Sequence, residues 1–276
     1  MTSSNPLQLA KQHKSKLISS LQPRTKAGCL QSTLNNSLSK PAAIRERSKK
    51  PLSPYQRHQA HVFNALKYLQ TFPAANPAVI AEKSVNLPRK KGSERRKTVV
   101  FDLDETLVHC VHNNFGKADV ILKLALPKRV NFGIRIRPFA LEVLQAASAQ
   151  FEVVVFTASQ KCYADPILDY LDPTGDLIQH RLYRESCVAV DGSYTKDLRI
   201  FSGRDLKDVL LVDNSVLSFG YQLDNGVPII SWYGDSKDRE LQGLIGYLNA
   251  AALCKDVREL NKRTFRLSQF SAQHLS

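Results

Sequence analysis

Acidic residues are nearly missing from the first third of this 276-residue chain. Residues 1–97 hold only Glu46, Glu82 and Glu94 against 19 Lys and Arg, whereas the remainder holds 20 basic and 22 acidic side chains. The formal charge of +14 therefore belongs to the N-terminal segment and says nothing about the part expected to fold. Long apolar runs are missing too. The longest, such as Val153–Phe156 and Val209–Val212, have strand length, far short of the roughly 20 residues of a membrane-spanning helix. No apolar stretch near the start marks a secretory signal. Cysteine is scarce: the five lie at positions 29, 110, 162, 187 and 254. Their odd number and wide gaps exclude a disulfide framework or a zinc ribbon and suit reduced thiols inside a cell. None is followed six residues later by Arg, which excludes a cysteine-nucleophile phosphate-binding loop.

Residues 1–50 are rich in Ser, Lys, Gln and Asn and poor in aromatics. Such a composition buries too little apolar surface to offset chain entropy, so residues 1–94 are expected to be a basic, largely disordered extension. Within it, apolar residues at 62, 63, 66, 69 and 72 follow helical spacing and predict a short amphipathic helix over Tyr55–Phe72. From about residue 95 to residue 276 the texture is that of one folded domain. Apolar strand candidates Thr98–Leu103, Val153–Thr157, Val209–Asp213 and Val227–Trp232 alternate with helix-like segments Phe139–Ala149, Tyr163–Asp172 and Ser236–Ala252, the last with Ser236 as its expected N-cap. Short buried strands alternating with helices predict an α/β fold, a mostly parallel sheet covered on both faces. Two β-hairpins are expected as a small insertion, one within residues 119–138 and one about Asp191–Gly192.

Ligands bind at the C-terminal strand ends of such sheets. Three of the strands end there in polar residues: Asp102 and Asp104, Thr157, and Asp213 with Asn214. Two aspartates one residue apart repel, and burial raises the cost, so a cation is needed to compensate. Phosphoryl transfer asks for this set: an in-line nucleophile, a cation, and a proton for the leaving group. Asp102 suits the nucleophile and Asp104 the general acid and base. Mg²⁺ prefers oxygen ligands, which Asp102, the Asp104 carbonyl and Asn214 or Asp213 offer. Thr157 and Lys196 suit the phosphate. Taken singly, each residue has an ordinary reading as a turn carboxylate, a strand residue or a solvated lysine. Their order, with three of them following apolar strands, is what points to a site.

The segments "FDLDETL", "VFTAS", "YTKDL" and "LVDNS" resemble, in order, the four signature motifs of the haloacid-dehalogenase superfamily. Their form is that of the small phosphatases of the RNA polymerase II C-terminal domain, related to the lipin-type phosphatases of the nuclear envelope. The resemblance covers roughly residues 95–260 and implies a Rossmann-like fold. It implies Asp102 as nucleophile and Asp104 as acid/base. Thr106, Thr157, Lys196 and the substrate-side Arg184 would bind phosphate or substrate. Asp102, Asp104, Asp213 and Asn214 would form the magnesium site. Two departures stand out. Val216 follows Ser215 where the family has proline, and "HCVHNNF", with His112 and Phe115, replaces the aromatic-bearing stretch that helps some members hold a substrate proline. A mitochondrial import receptor shares the fold but lacks the aspartates; this chain keeps them.

From Asp102 to Thr157 is 55 residues and from Thr157 to Lys196 is 39. Neither gap leaves room for a large cap, so the expected site is open and suited to a phosphorylated protein. The expected enzyme is a Mg²⁺-dependent serine/threonine phosphatase, with a catalytically silent binding module as the alternative. "RERSKK" and "PRKKGSERRK" could act as nuclear-import signals or touch nucleic acid. The expected compartment is the nucleus, with cytoplasm and mitochondrion as alternatives.

Overall fold

The structure, a computed structural model, describes residues 51–89, 96–111, 115–124 and 130–270. Its helices are α1 (Pro54–Leu69), α2 (Pro77–Glu82), α3 (Ala140–Gln150), α4 (Lys161–Leu171), α5 (Glu240–Leu253) and α6 (Val257–Thr264). The first six strands are β1 (Val85–Asn86), β2 (Thr98–Phe101), β3 (Val108–Val111), β4 (Val120–Lys123), β5 (Asn131–Ile136) and β6 (Glu152–Phe156). The other six are β7 (His180–Leu182), β8 (Val188–Val190), β9 (Ser193–Thr195), β10 (Phe201–Ser202), β11 (Val209–Asp213) and β12 (Gly226–Pro228).

The central sheet has the order β12-β11-β2-β6-β7 and is parallel throughout. This is the expected α/β architecture. The chain lays down β2, β6 and β7 toward one edge, then returns to place β11 and β12 on the other side of β2. The strand order therefore reverses between β2 and β11, and a doubly wound sheet opens its ligand crevice at that point. Successive residues of a strand face opposite ways. Val99, Phe101, Val153, Val155, Leu210 and Val212 pack with Val143, Leu144, Ile167, Leu168, Leu241 and Leu248 of α3, α4 and α5. Val100, Val154, Phe156 and Leu211 face the other layer, with Leu66, Ile200, Phe201 and Phe219.

Both hairpins form. β4 and β5 pair antiparallel, and β3, absent from the sequence expectation, joins β5 on its other edge. At the tip of β8–β9, Asp191 and Gly192 have φ of 47° and 78°, the left-handed pair that a tight hairpin turn requires. The expected strand Val227–Trp232 is shorter, Gly226–Pro228, because the chain then leaves the sheet and Trp232 N–H donates to the Glu105 carbonyl at 2.9 Å. The last long helix begins at Glu240, and Ser236 does not cap it. Residues 235–238 form a turn instead, in which the Asp235 carboxylate accepts from Lys237 N–H at 2.9 Å.

Residues 54–87, expected to lie in the extension, pack on the sheet. Ser53 caps α1 in a reciprocal capping box with Gln56. The apolar stripe of α1 then sinks Ala65 and Leu66 into the second layer, and a fully buried Leu stabilises by roughly 1.5–3 kcal/mol. Leu69 sits where a side chain at Gly220 would fall, 2.4 Å from the site of a Cβ. β1 pairs parallel with β10, and the Leu87 carbonyl accepts from Arg204 at 2.6 Å. The apolar spacing over Tyr55–Phe72 predicted the helix, and composition averaged over the segment hid that it docks. Residues 1–50 and the basic run 90–95 lie outside the described residues, as do His112 and the Pro127–Lys128 turn. No helix among the described residues is long and apolar enough to cross a membrane.

Candidate active site

β2 ends at Phe101, and the next residue, Asp102, is held in register by its N–H bond to the Val212 carbonyl of β11, 2.9 Å. The chain then turns sharply. Glu105 takes a left-handed φ of 61°, and Leu107 N–H closes back on the Leu103 carbonyl at 2.9 Å. This turn brings Thr106 beneath Asp102. The Thr106 hydroxyl lies 2.9 Å from Asp102 Oδ2, to which it donates, and 3.4 Å from Asn214 Oδ1. Lys196 arrives after β9, anchored by its N–H to the Ser218 carbonyl at 2.7 Å. Its buried ammonium donates to Asp102 Oδ1 at 2.5 Å and to Asp213 Oδ2 at 2.6 Å. Asp102, Thr106, Lys196, Asp213 and Asn214 thus form one contiguous cluster across the β2–β11 switch.

The electrostatics are frustrated. Burial pushes the Asp102 carboxyl up to about 7; Lys196 pulls it back, while Asp213 and Asp104 push it further up. Burial also opposes the charge on Lys196, but Asp102 and Asp213 outweigh it and raise the lysine above its ordinary range. Two carboxylates share one buried ammonium here, with Asp104 adding negative charge nearby, and such a site calls for another cation.

Asp104 belongs to a second group. Its carboxylate accepts from the Ser159 hydroxyl and from the Tyr163 hydroxyl, both at 2.6 Å. Thr157, just beyond β6, is buried and its hydroxyl accepts from Ser159 N–H at 3.0 Å, leaving its own hydrogen to donate. Arg184 stands further out. Its Nε donates to the Ala158 carbonyl at 2.6 Å, and the guanidinium lies 5.1 Å from the centre of the Tyr194 ring. Cys187 is buried beneath Thr157, its thiol pushed up to about 12 mainly by burial, and is thereby inert. Val216 is fully buried and opens a short 3₁₀ turn without disturbing Asp213 or Asn214.

The donor chemistry decides which ion would fit. Mg²⁺ takes one or two carboxylates, other oxygens and retained waters. Asp102 and Asn214 supply this, since both present oxygens to the same Thr106 hydroxyl. Asn214 is turned the right way because its amide nitrogen donates to Ser231 at 2.9 Å, freeing Oδ1 for the site. Both oxygens of Asp213 are engaged, one by Lys196 and one by Ser215 N–H at 2.8 Å.

A profile of the NLI interacting factor-like phosphatases matches residues 97–258. The chain belongs to that family. It is 41% identical over 207 residues to CTD small phosphatase-like protein 3 of Caenorhabditis elegans, covering 74% of this chain and 71% of that protein. It is 42% identical over 173 residues to the human carboxy-terminal domain RNA polymerase II polypeptide A small phosphatase 1, covering 62% of this chain and 66% of that one. A solved structure of Fcp1, an RNA polymerase II CTD phosphatase, aligns at 21% identity with a TM-score of 0.44, covering 64% of this chain and 55% of that one. The family is one of hydrolases, and this chain is a phosphatase of it. Ser159, Tyr163 and Ser231 were not singled out from the sequence. Ser159 lies inside the motif "VFTAS" at the end of β6, but Tyr163 and Ser231 reach the site only through folding.

Proposed function

We propose that this phosphatase is a Mg²⁺-dependent protein serine/threonine phosphatase acting through an aspartyl-phosphate at Asp102. The observation that carries the reading is the grip on Asp102. Lys196 holds one of its oxygens at 2.5 Å and Thr106 the other at 2.9 Å, so a nucleophile is fixed beside an ammonium at the strand-order switch.

Asp102 attacks the phosphorus of a phosphorylated side chain, and the P–O bond to the serine or threonine oxygen breaks. Asp104, entering this step protonated and turned away from Ser159 and Tyr163, gives its proton to that oxygen. Water then attacks the phosphoaspartate, with Asp104 taking the proton, and inorganic phosphate and free Asp102 result. Lys196 and the Thr157 hydroxyl hold the phosphate oxygens. Asp102, the Asp104 carbonyl and Asn214 would hold Mg²⁺, which supplies positive charge to the phosphoryl oxygens. Asp213 fixes Lys196 and so belongs to the site's support. Arg184 is placed to meet substrate beyond the phosphate.

A protein substrate is supported by how the insertions are used. The residues between Asp102 and Thr157 are spent on a three-stranded sheet and on α3, which packs against the core. The human relative is named for the carboxy-terminal domain of RNA polymerase II, which supports the proposal of a phosphorylated polymerase-tail or regulatory segment as substrate and of the nucleus as compartment. The test compares wild type and Asp102→Asn on serine and threonine phosphopeptides, with Mg²⁺ and with chelator. Phosphate release that needs both Mg²⁺ and Asp102 supports the reading. A folded wild type that leaves every peptide and a small phosphate ester untouched makes the binding module the better account.

A further inference from the structure

Arg137 is the largest fully buried side chain among the described residues, and nothing so far has used it. Its Nε and Nη2 donate to the two oxygens of Asp238, each at 2.9 Å, and its Nη1 donates to the Thr106 carbonyl at 3.1 Å. Its own N–H donates to the adjacent Leu107 carbonyl at 3.0 Å. A buried ion pair is a poor device for stability, since a well-packed apolar pair often does as well. Such a pair does fix geometry, because the planar fork of Arg admits one arrangement.

The geometry has a direction. The Thr106 carbonyl is clamped from below, and the Thr106 hydroxyl above it holds Asp102 Oδ2. The loop that carries Asp238 braces the same turn again, through Trp232 N–H on the Glu105 carbonyl. That loop also holds the Asn214 amide, through Ser231. One loop, residues 231–238, therefore holds Glu105 directly, Thr106 through Arg137, and the asparagine opposite.

We infer that Arg137 and Asp238 are positioning residues for Asp102: their pair clamps Thr106 and so sets the orientation of the nucleophile's carboxylate. The inference rests on Asp102 being that nucleophile, and misplacement by a fraction of an ångström to one ångström costs up to about a hundredfold in rate.

The test uses the full chain, with Arg137→Lys, Thr106→Val and the double variant assayed on a serine phosphopeptide with Mg²⁺. Arg204→Lys, a buried arginine at the far end of the sheet, serves as the structural control. Arg137→Lys is expected to lower kcat about tenfold to a hundredfold with KM changed less than about threefold. The double variant is expected to be no slower than Thr106→Val alone, because residues that act through one another are not additive. Hydrogen–deuterium exchange over residues 102–107 is expected to quicken in Arg137→Lys and to stay unchanged in Arg204→Lys. Effects that multiply in the double variant, or unchanged exchange over 102–107, overturn the inference. If the wild type itself releases no phosphate, the nucleophile reading falls, and exchange over 102–107 judges the clamp alone. Should Arg137→Lys fail to fold, Asp238→Asn takes its place under the same criteria.

Discussion

The central sheet buries a carboxylate at each end, and the two fare in opposite ways. At the C-terminal end, Asp102 shares one ammonium with Asp213, has Asp104 nearby, and is driven up to about 7 by burial. At the N-terminal end, Glu152 receives the Thr98 hydroxyl at 2.7 Å and both arms of the Arg204 fork, at 2.9 and 2.6 Å. Burial pushes Glu152 up as well, but the nearby His180 ring, 3.5 Å away, and the hydrogen bonds from Arg204 and Thr98 outweigh it and hold the carboxyl well below its ordinary range. The burial is similar; the supply of donors differs. A structural carboxylate is given enough partners to stay ionised in comfort. Asp102 is kept shorter of them, which is what the proposed nucleophile, with substrate and cation to complete its shell, would require.

Substitution at the two ends should therefore separate activity from stability. Asp102→Asn should abolish phosphate release by about a thousandfold or more, while the melting temperature holds or rises because a poorly compensated buried charge is gone. A marked loss of stability in that variant would erase the contrast. Glu152→Gln should do the reverse. It strands the Arg204 fork and should cost about 3 kcal/mol or more in a denaturant titration, with kcat per folded molecule unchanged.

Acid sharpens the same contrast. Glu152 has a folded pKa below its ordinary value of 4.5, so the unfolded chain takes up its proton first as pH falls. The stability that Glu152 contributes is fully present above about pH 5 and is lost progressively below it. Unfolding free energy measured from pH 6 to pH 3 should fall less steeply in Glu152→Gln than in the wild type. Equal slopes would mean that the cluster does not hold its proton affinity down.

The smallest expected effect concerns Asp104. Tyr163→Phe or Ser159→Ala removes one of the two hydroxyls that hold it. One hydrogen bond is worth about 0.5–1.5 kcal/mol, so kcat should change by roughly three- to tenfold, with thermal stability little affected. The double variant should move kcat further while leaving the melting behaviour of the Glu152 end alone.

How much of this could be read from the letters depends on distance along the chain. The four apolar segments that became β2, β6, β11 and the short β12 were legible, because a parallel strand buried on both faces must be apolar throughout. The aspartates, Thr157 and Asn214 were singled out because each ends or follows such a segment, and Lys196 by its place in the order of the set. The end of the β12 run and the start of α5 were misplaced for one shared reason. The loop between them is committed to bracing the Glu105–Thr106 turn, through Trp232 and Asp238, and no local propensity announces that. The docking of α1 was half legible: its apolar spacing showed, and its landing place did not.

The sequence by itself determined the α/β alternation, the order of the candidate site residues and the placement of most of them at sheet-strand ends. Those follow from periodicity and from the rule that a parallel sheet opens at its C-terminal edge. Only the tertiary structure decided who holds whom. It set Lys196 between Asp102 and Asp213, parked Asp104 on Ser159 and Tyr163, turned Asn214 with Ser231, and put the Arg137–Asp238 pair under Thr106. Partners separated by 17 to 108 residues are brought together by strand order and loop path. Hydrogen-bond geometry, fixed to a few tenths of an ångström, exists only after that packing is complete.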